Sequence, residues 1–526
     1  NDNFSLCRLN ECADFGTQRL GTISDNHNNQ RLFTATVRST ATWQPMTSAN
    51  VRTTLGADYL NNEGDGSTAA GTQLPPGGQT VGSAAVPSAS NALPSATKTL
   101  GYYAQTQVAF RDRLFGTFAV RYDQNTAFGT QYKGIPYPKA SLSWNVSDES
   151  FFPHYDFLSS LHLRVSHGSS GVQPGATSAL RTFAATTVSL VSDQPGLLSS
   201  AIGNPNLKPE KSTETETGFD ARLFNNRVNV EATYYSKQTT DALINLAIGP
   251  SSGAAVTQVL KNLGSVKNAG AELSVTAQMI DRRNFGWDVT VGGSHNKNKL
   301  VTMGKDDAGN PVPPTGTTTR NQPGYPLNGY WLVPFKYADT NGDGLISLSE
   351  VTVDPADTVF LGSSQPTDQL SIQSGFDLLQ RKLRVNVLGD YKGGGVVNND
   401  TQRFLCAQTP GCFGLSNPDA DLFTQARAVA SRFTNTKTNR GYYESGQFWR
   451  LREVSVTWNL PDQLVQRAMR GQNASLTFGA RNLKIWTKYT GSGNDPEANY
   501  ATGDTQSDLL TTAPRRYYTL RLNLHY

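Results

Sequence analysis

Apolar and polar residues alternate with a period of two through many segments of this chain. The C-terminal stretch YYTLRLNLHY places Tyr518, Leu520 and Leu522 on one face and Thr519 and Arg521 on the other. Segments that begin at residues 228, 271 and 454 alternate in the same way. Because successive side chains of a β-strand point to opposite faces of the sheet, this pattern predicts strands with one apolar and one polar face.

The alternating segments are long and numerous. We count about fifteen strand candidates of roughly ten to sixteen residues, whereas strands of soluble sheets usually have about five or six. The chain is therefore predicted to be all-β, although a soluble sandwich would also alternate, so the links between strands have to decide the architecture. The predicted strands start near residues 31, 50, 98, 114, 137, 158, 211, 227, 266, 284, 366, 382, 445, 472 and 514.

The links between the predicted strands are alternately short and long. Short links include QPMTSA, FNN and DRRN. Long links cover residues 61–97, 171–210, 237–265, 299–365, 392–444 and 487–513. One short side and one long side are typical of an outer-membrane barrel, whose closure satisfies every backbone group in lipid. We therefore predict a transmembrane antiparallel β-barrel in contact with outer-membrane lipid, with short periplasmic turns and long extracellular loops.

The order of the links also predicts where the chain ends lie. The last strand follows a long loop, which places the C-terminus in the periplasm. Counting back places residues 1–30 outside the cell, as an extracellular loop segment that precedes barrel residues 31–526. Bacterial single-chain barrels have an even number of strands and both ends in the periplasm. The odd count leads us to expect that the chain supplies the C-terminal part of a larger barrel.

Composition and motifs argue against several other classes of protein. Charged residues are 17% of the chain and the net charge is +4, without a cluster of Lys and Arg, so nucleic acid is not an expected partner. The six histidines lack metal-ligand spacing, and no phosphate-binding G-x-x-x-x-G-K-[ST] loop is present. GPSSG at residues 249–253 matches G-x-S-x-G, but it lies in a Gly- and Ser-rich stretch and not at a strand-to-helix turn. We therefore expect no enzyme activity.

One long link contains a candidate calcium site. Residues 338–350 read ADTNGDGLISLSE, which has the spacing of a twelve-residue calcium loop, inserted within residues 299–365. The aromatic, proline-containing stretch before it does not favour a helix, so we expect a structural Ca²⁺ and not a helical sensor. The alternative is a polar turn in which Asn-Gly-Asp-Gly only reverses the chain. The predicted ligands are Asp339, Asn341, Asp343, the carbonyl of Leu345, Ser347 and Glu350.

The four cysteines form two close pairs in polar stretches. Cys7 lies near Cys12, and Cys406 lies near Cys412. Four unpaired thiols are the alternative interpretation. Because cysteine is scarce here and falls in local pairs, we predict two disulfides, each closing a small extracellular loop. Disulfides persist in oxidising compartments, which agrees with a cell-surface location.

Several stretches together resemble a known family, although none is specific alone. They include NPNLKPEKSTETETGFD, NLGSVKNAGAELSV, YADTNGDGLISLSE, FWRLREVSVTWNLP and ARNLKIWTKYTGSGNDPEANY, in that order along the chain. In these stretches the chain is similar to the C-terminal part of SusC/RagA-type TonB-dependent outer-membrane transporters.

The resemblance implies a barrel of about 22 strands. It also implies an N-terminal plug domain, energy coupling through TonB and usually a SusD-like lipoprotein as a lid. The imported nutrient would be an oligosaccharide or a peptide. We recognise no plug or TonB-contacting segment, so we expect a missing N-terminal portion, from the same gene or as a cleaved fragment, to supply them. The alternative is a structural or adhesive surface barrel, or a passive porin, without energised transport.

Overall fold

The computed structural model describes residues 2–9, 20–153, 155–189, 193–248, 258–406, 411–498 and 505–525. Within these residues the chain is dominated by antiparallel strands, sixteen of which belong to one large sheet. The first thirteen strands are β1 (Asp2–Cys7), β2 (Thr22–Met46), β3 (Ala49–Thr72), β4 (Val86–Phe110), β5 (Leu114–Asn125), β6 (Ile135–Asn145), β7 (Leu158–Val172), β8 (Thr182–Ser189), β9 (Asp193–Ala201), β10 (Glu210–Leu223), β11 (Val228–Ala247), β12 (Gln258–Asp281) and β13 (Phe285–Thr302).

The second half of the chain adds short strands and helices between its long strands. The strands are β14 (Thr319–Arg320), β15 (Gly329–Leu332), β16 (Phe335–Tyr337), β17 (Val351–Val353), β18 (Val359–Gly362), β19 (Asp368–Leu378), β20 (Leu383–Gly393), β21 (Val396–Asn398), β22 (Tyr443–Ser445), β23 (Phe448–Asn459), β24 (Asn473–Thr487) and β25 (Tyr517–His525). The helices are α1 (Asp400–Leu405), α2 (Phe413–Ser416), α3 (Leu422–Arg432) and α4 (Asp462–Met469). In the part of the chain that is described, no helix has the length and hydropathy needed to cross a membrane.

The chain divides into two compact units. The first comprises residues 1–141, 168–212 and 240–263. In it, β1 to β5 pair with their neighbours in chain order, all antiparallel. The link between β4 and β5 has positive φ at Arg111 and Asp112, both at 52°. Positive φ at successive turn residues gives the twist that matches two antiparallel strands in a tight hairpin.

The second unit comprises residues 142–167, 213–239 and 264–526. In it, β12, β13, β19, β20, β23, β24 and β25 pair in that order, all antiparallel. The strands β14 to β18 lie in the link between β13 and β19 and form two small separate sheets. The long link predicted over residues 299–365 is therefore a folded insertion.

The register of the long strands gives the sheet two chemically different faces. Between β24 and β25, Phe478 lies opposite Leu520 on one face, and Thr477 lies opposite Arg521 on the other. The same sorting holds between β20 and β23, where valine pairs with valine and Arg384 pairs with Thr457. A shift by one residue would exchange the faces of a whole strand, so this sorting fixes the register. The alternation predicted from the sequence is confirmed.

The predicted strands are confirmed, and their lengths and number are corrected. Each expected start lies in, or close to, a strand of the main sheet, but β2, β4 and β12 begin well before it. Residues 1–30, expected to be a loop segment, contain β1 and the first residues of β2, which pair with each other. The stretch NHNNQR has no apolar alternation to reveal a strand. A ladder of backbone hydrogen bonds does not need apolar side chains, so the hairpins extend beyond the amphipathic part of the sequence.

Candidate functional site

Three long links of the second unit pack together, and we call their described residues the loop unit: residues 319–362, 396–406, 411–446, 488–498 and 505–511. The Thr438 hydroxyl donates to the Val333 carbonyl oxygen at 2.6 Å, and the Asn398 N–H donates to the Gln506 carbonyl oxygen at 3.0 Å. The links are therefore joined directly and not only through the strands. One apolar core of the loop unit consists of Ile346, Val351, Ala426, Val429 and Ala430.

The first half of the predicted calcium loop is held by its own hydrogen bonds. The Asp339 carboxylate accepts from the N–H groups of Gly342 at 2.8 Å and Gly344 at 2.9 Å. Both glycines have positive φ, at 73° and 77°, and a Cβ would meet no atom at either, so the backbone conformation is what favours glycine there. Asn341 donates to Asp343 at 2.8 Å, and Asp343 accepts from the Leu345 N–H at 2.8 Å.

The carboxylate of Glu350, at the twelfth position of the loop, accepts hydrogen bonds from Thr340 and Ser347. One carboxylate oxygen accepts from the N–H and hydroxyl of Thr340, at 2.8 and 2.9 Å. The other accepts from the N–H and hydroxyl of Ser347, both at 2.9 Å. This pairing is a capping box, in which Ser347 precedes a single 3-10 turn over Leu348–Glu350. The hydrogen bonds from Ser347 and Thr340 stabilise the ionised form and lower the pKa of Glu350 to about 2.

The acceptor capacity of these side chains tests how well they fit a cation. A carboxylate offers about four lone-pair positions. Asp339 and Asp343 each accept two hydrogen bonds and retain positions for a cation. Glu350 already accepts four, so it could bind a metal only by releasing donors of Thr340 or Ser347. Among the described residues, no three His, Cys, Asp or Glu side chains are grouped as a metal site. The calcium site stays a prediction.

A buried glutamine joins the predicted calcium loop to helix α3. The Gln425 side-chain oxygen accepts from the Ile346 N–H at 2.8 Å. Its amide nitrogen donates to the carbonyl oxygens of Gly344 at 3.0 Å and Ala420 at 2.8 Å. Asp421 caps the same helix by accepting from Thr424, and these bonds lower the pKa of Asp421. Gln425 therefore ties the loop to α3.

One predicted disulfide is present in the loop unit. Cys406 and Cys412 are bonded, and both pack in a buried cluster with Ala428 of α3 and Tyr442. This confirms the second cysteine pair. Cys7 is also disulfide-bonded, and its predicted partner Cys12 lies outside the described residues. The described cysteines include no free thiol.

A partly buried network of charges fastens residues 488–498 to strands β20 and β23, and we call it the clamp network. It consists of Lys392, Arg450, Arg452, Asp390, Asp495 and Glu497. Arg450, only 3% exposed, contacts the carboxylate of Asp495 at 2.5 Å. Burial opposes ionisation of Glu497, but hydrogen bonds from Arg452 and Lys392 outweigh it and lower its pKa to about 2. The clamp network therefore holds residues 488–498 in one position.

The polar face of the strands carries a second network in the same unit. The Ser143 hydroxyl lies 2.6 Å from Nε2 of His162, and Nδ1 of His162 lies 2.8 Å from the Asp220 carboxylate. This order of hydroxyl, imidazole and carboxylate also occurs in serine hydrolases. Here Asp220 is shared with Arg164, which donates in turn to Thr233 at 2.5 Å. We therefore interpret the network as a set of hydrogen bonds and ion pairs that link side chains on the polar faces of neighbouring strands.

Sequence reasoning missed Gln425 and the clamp network. Gln425 gives no signal in the sequence, because its role depends on contacts with residues 79 and 81 positions away. The clamp network did give a signal in the sequence. The stretch FWRLR places Arg450 and Arg452 two residues apart, on one face of a strand. Two arginines side by side on the polar face indicate acidic partners nearby.

A family model described as TonB dependent receptor-like, beta-barrel, matches residues 3–483. TonB-dependent receptor P26 of Formosa agariphila is 28% identical over 430 residues, which cover 74% of this chain and 42% of the relative. TonB-dependent receptor SusC of Bacteroides thetaiotaomicron is 24% identical over 435 residues, covering 76% of this chain and 41% of the relative. The chain thus spans less than half the length of these curated relatives.

Solved structures of similar fold include two of the RagAB system. A structure of the RagAB peptide transporter superposes with a TM-score of 0.77 at 20% identity, covering 99% of this chain and 58% of that one. The RagAB peptide importer in its "open-open" state gives 0.78 at 21% identity, covering 96% and 56%. At this level of identity the likeness concerns the fold, and it agrees with the barrel predicted from the alternation.

Proposed function

Because the chain belongs to the TonB dependent receptor-like, beta-barrel family, we propose that it forms the barrel portion of a transporter that imports a nutrient. The family is one of bacterial outer-membrane receptors. The observation that carries the proposal is the family match over residues 3–483. The two-faced strands support it, because an apolar face suits lipid and a polar face suits a lumen.

The finer part of the proposal concerns substrate, energy and partner. We propose that the nutrient is an oligosaccharide or a peptide, that TonB supplies energy through a plug domain, and that a SusD-like lipoprotein covers the loop unit. The similarity to SusC and to the RagAB peptide transporter supports this range of substrates. The folded loop unit supports it physically, since a rigid mouth is what a substrate or a lid needs for docking.

The orientation is proposed from the hairpins. In the first unit, the short links are those between β2 and β3 and between β4 and β5. In the second unit, the short links are those between β12 and β13 and between β19 and β20. Within each unit these hairpins lie at one end of the strands, and the long links lie at the other. We assign the short end to the periplasm, together with the C-terminus, and the long end to the cell exterior.

The test is import in living cells. A strain in which the gene is deleted should stop growing on one oligosaccharide or peptide as sole source, and the restored gene should rescue it. Growth on a small sugar that passes general porins is the control. Uptake should stop when the proton gradient is collapsed or TonB is deleted.

The rival function makes the opposite prediction. A passive porin would keep taking up its substrate after TonB is deleted, and its flux would be proportional to concentration. A structural or adhesive barrel would change surface attachment without changing growth on any nutrient. Either result would replace nutrient import as the function.

We also propose that residues 339–350 bind Ca²⁺ in a structural role. Asp339 and Asp343 keep acceptor capacity on the exposed side of the loop, which supports the proposal. Glu350 would have to exchange part of its capping box for the ion, so the affinity is expected to be that of weak extracellular modules, on the order of 0.1–1 mM.

A further inference from the structure

A shallow cavity of about 710 Å³ lies on the apolar face of the long strands in the second unit. Its floor is at Gly293 of β13, which lies opposite Leu273 of β12 on one side and opposite Leu370 of β19 on the other. Because Gly293 has no side chain, the two leucines flank a gap in the apolar surface. The cavity therefore opens on the face that we assign to lipid.

The side chains around this cavity are mostly apolar, and they are exposed. Phe219 and Tyr234 add aromatic walls to the leucines, and Tyr234 and Leu273 are 53% and 49% exposed. Glu272 and Ser294 also contribute to the lining, but the alternation of the strands directs their side chains to the opposite face, where both line a separate cavity. An apolar concavity on the lipid face suits a flexible hydrocarbon chain, because filling it buries apolar surface on both partners.

Three exposed lysines lie beside the cavity, nearer to the long links, and we call Lys267, Lys297 and Lys299 the lysine patch. Lys267 of β12 lies directly opposite Lys299 of β13. Lys297 and Lys299 follow His295, which lines the cavity, at steps of two residues, so all of them share its face. Strand β13 runs from a short hairpin to a long link. The lysine patch therefore lies toward the end of the strands where we place the cell exterior.

The positive charge of the lysine patch is not balanced by the protein. Within the described residues, none of the three lysines forms an ion pair. Asp368 is the acidic residue in register with His295, and its carboxylate is already bonded to His295 and to the Thr367 hydroxyl, both at 2.7 Å. Like charges directly opposite each other on neighbouring strands are destabilising. An anion bound between the lysines would remove that repulsion.

We propose that the cavity and the lysine patch together bind one phosphate-bearing lipid of the outer leaflet, with an acyl chain in the cavity and the phosphate against the lysines. Residues rise about 3.3 Å each along a strand, so Lys297 and Lys299 lie roughly 7 and 13 Å beyond His295. A lipid headgroup adjoins its acyl chains in the same way, and basic clusters at this depth attract anionic headgroups. The inference rests on the orientation proposed above. The lipid is a bound part of the receptor and not the imported nutrient.

A second copy of the chain fits this surface less well. Two copies in one membrane have the same orientation, so a two-fold contact through the cavity would set two lysine patches at the same height, facing each other. Their repulsion would oppose the contact in a medium that screens charge poorly. A neutral lipid would fill the cavity but leave the lysines without a counter-charge. The combination of an apolar cavity and an unbalanced basic patch therefore favours an anionic lipid.

The test is lipid binding by the full receptor purified in detergent, measured by native mass spectrometry. The probes are diphosphorylated lipid A, its dephosphorylated form and phosphatidylcholine. We expect the receptor to retain one diphosphorylated lipid A, more tightly than either of the other two, with an affinity that falls as salt is added. The double variant Lys297→Gln, Lys299→Gln should weaken this binding about twentyfold, since each lysine near an anionic headgroup contributes about fivefold.

Gly293→Leu tests the cavity separately from the charge. A Cβ at Gly293 would lie 3.4 Å from the Leu370 side chain, which is ordinary contact, so the barrel should fold while the cavity is filled and lipid binding is weakened.

The matched control is Lys336→Gln with Lys437→Gln, which removes the same charge from exposed positions of the loop unit and should bind lipid as the native protein does. Equal affinity for phosphorylated and dephosphorylated lipid A would overturn the inference. So would native affinity in the double lysine variant or in Gly293→Leu, or a lipid-free dimer formed through this face. A receptor that fails these tests but still supports TonB-dependent growth keeps the import function, so the two proposals fail separately.

Discussion

The junction between the predicted calcium loop and α3 depends on a single side chain. Gln425 is 3% exposed and makes three hydrogen bonds, to the Ile346 N–H and to the carbonyl oxygens of Gly344 and Ala420. Leucine has a similar size and no polar atom. The substitution Gln425→Leu therefore removes the polar contacts while it leaves the volume nearly unchanged.

The cost can be worked out from what is left unpaired. Gly344 is exposed, so its carbonyl oxygen gains water and loses little. Ile346 and Ala420 are 7% and 6% exposed, so one N–H and one carbonyl become buried without a partner. Each orphaned group costs about 1–3 kcal/mol, which gives about 4 kcal/mol for the pair. That is a change of about a thousandfold in the local opening equilibrium.

Amide hydrogen exchange measured by mass spectrometry on the detergent-purified receptor tests this value. Peptides covering residues 339–350 and 420–430 should exchange much faster in Gln425→Leu, while peptides from β24 and β25 keep their protection. Gln466→Leu, on the exposed surface of α4, is the matched control and should change nothing. Unchanged exchange at residues 339–350 in Gln425→Leu would show that the hydrogen bonds of Gln425 do not hold the loop.

Four further predictions follow from the fold and the loop unit. Leu520→Arg should destabilise the barrel by about 2–4 kcal/mol, because the apolar face meets lipid, while Thr519→Arg on the polar face is tolerated; equal heat-modifiable migration of both variants on a denaturing gel would refute the face assignment. The depressed pKa of Glu497 stabilises the clamp network above about pH 4.5, and this contribution, about 2 kcal/mol after screening, should disappear between about pH 4.5 and 2. The hydrogen-exchange protection factor of residues 488–498, corrected for the intrinsic pH dependence of exchange, should therefore fall between pH 6 and pH 3, and an equal protection factor at both pH values would contradict this. Chelation, like Asp343→Ala, should raise protease cleavage near residue 340 with the barrel still folded, and a loop equally protected in both cases excludes structural Ca²⁺. Without reduction, mass spectrometry should find Cys406 linked to Cys412, and reduction should cost about 2 kcal/mol, confined to the loop unit.

The long strands were predictable because their signal is local. A period of two needs only neighbouring residues, and the register between β24 and β25 then follows from matching apolar to apolar positions. The ends of the strands were not predictable in this way. The stretch NHNNQR in β2 carries no alternation, and its pairing with β3 is inherited from the register set further along the hairpin.

The loop unit was predictable only in part. The capping box was visible in the sequence SLSE, because Ser and Glu three residues apart satisfy each other's backbone N–H groups. The same Glu350 also completes the spacing of a calcium loop, so the sequence presents two uses of one carboxylate. The contact between Tyr330 and Gln506 joins residues 176 positions apart, and no local sequence pattern predicts it.

The strands and the loop unit are stabilised by different interactions, and this bears on how specificity arises. The sheet depends on backbone ladders and on an apolar face, which tolerate exchange among apolar residues. The loop unit depends on buried polar groups such as Gln425, which is bonded to residues of another link, and Asp495, which is paired with Arg450 of β23. Loss of one partner leaves a buried group unpaired, at a cost above that of a typical surface change. A change of substrate is therefore expected to come from exposed side chains of the loop unit, which do not carry the links between the loops.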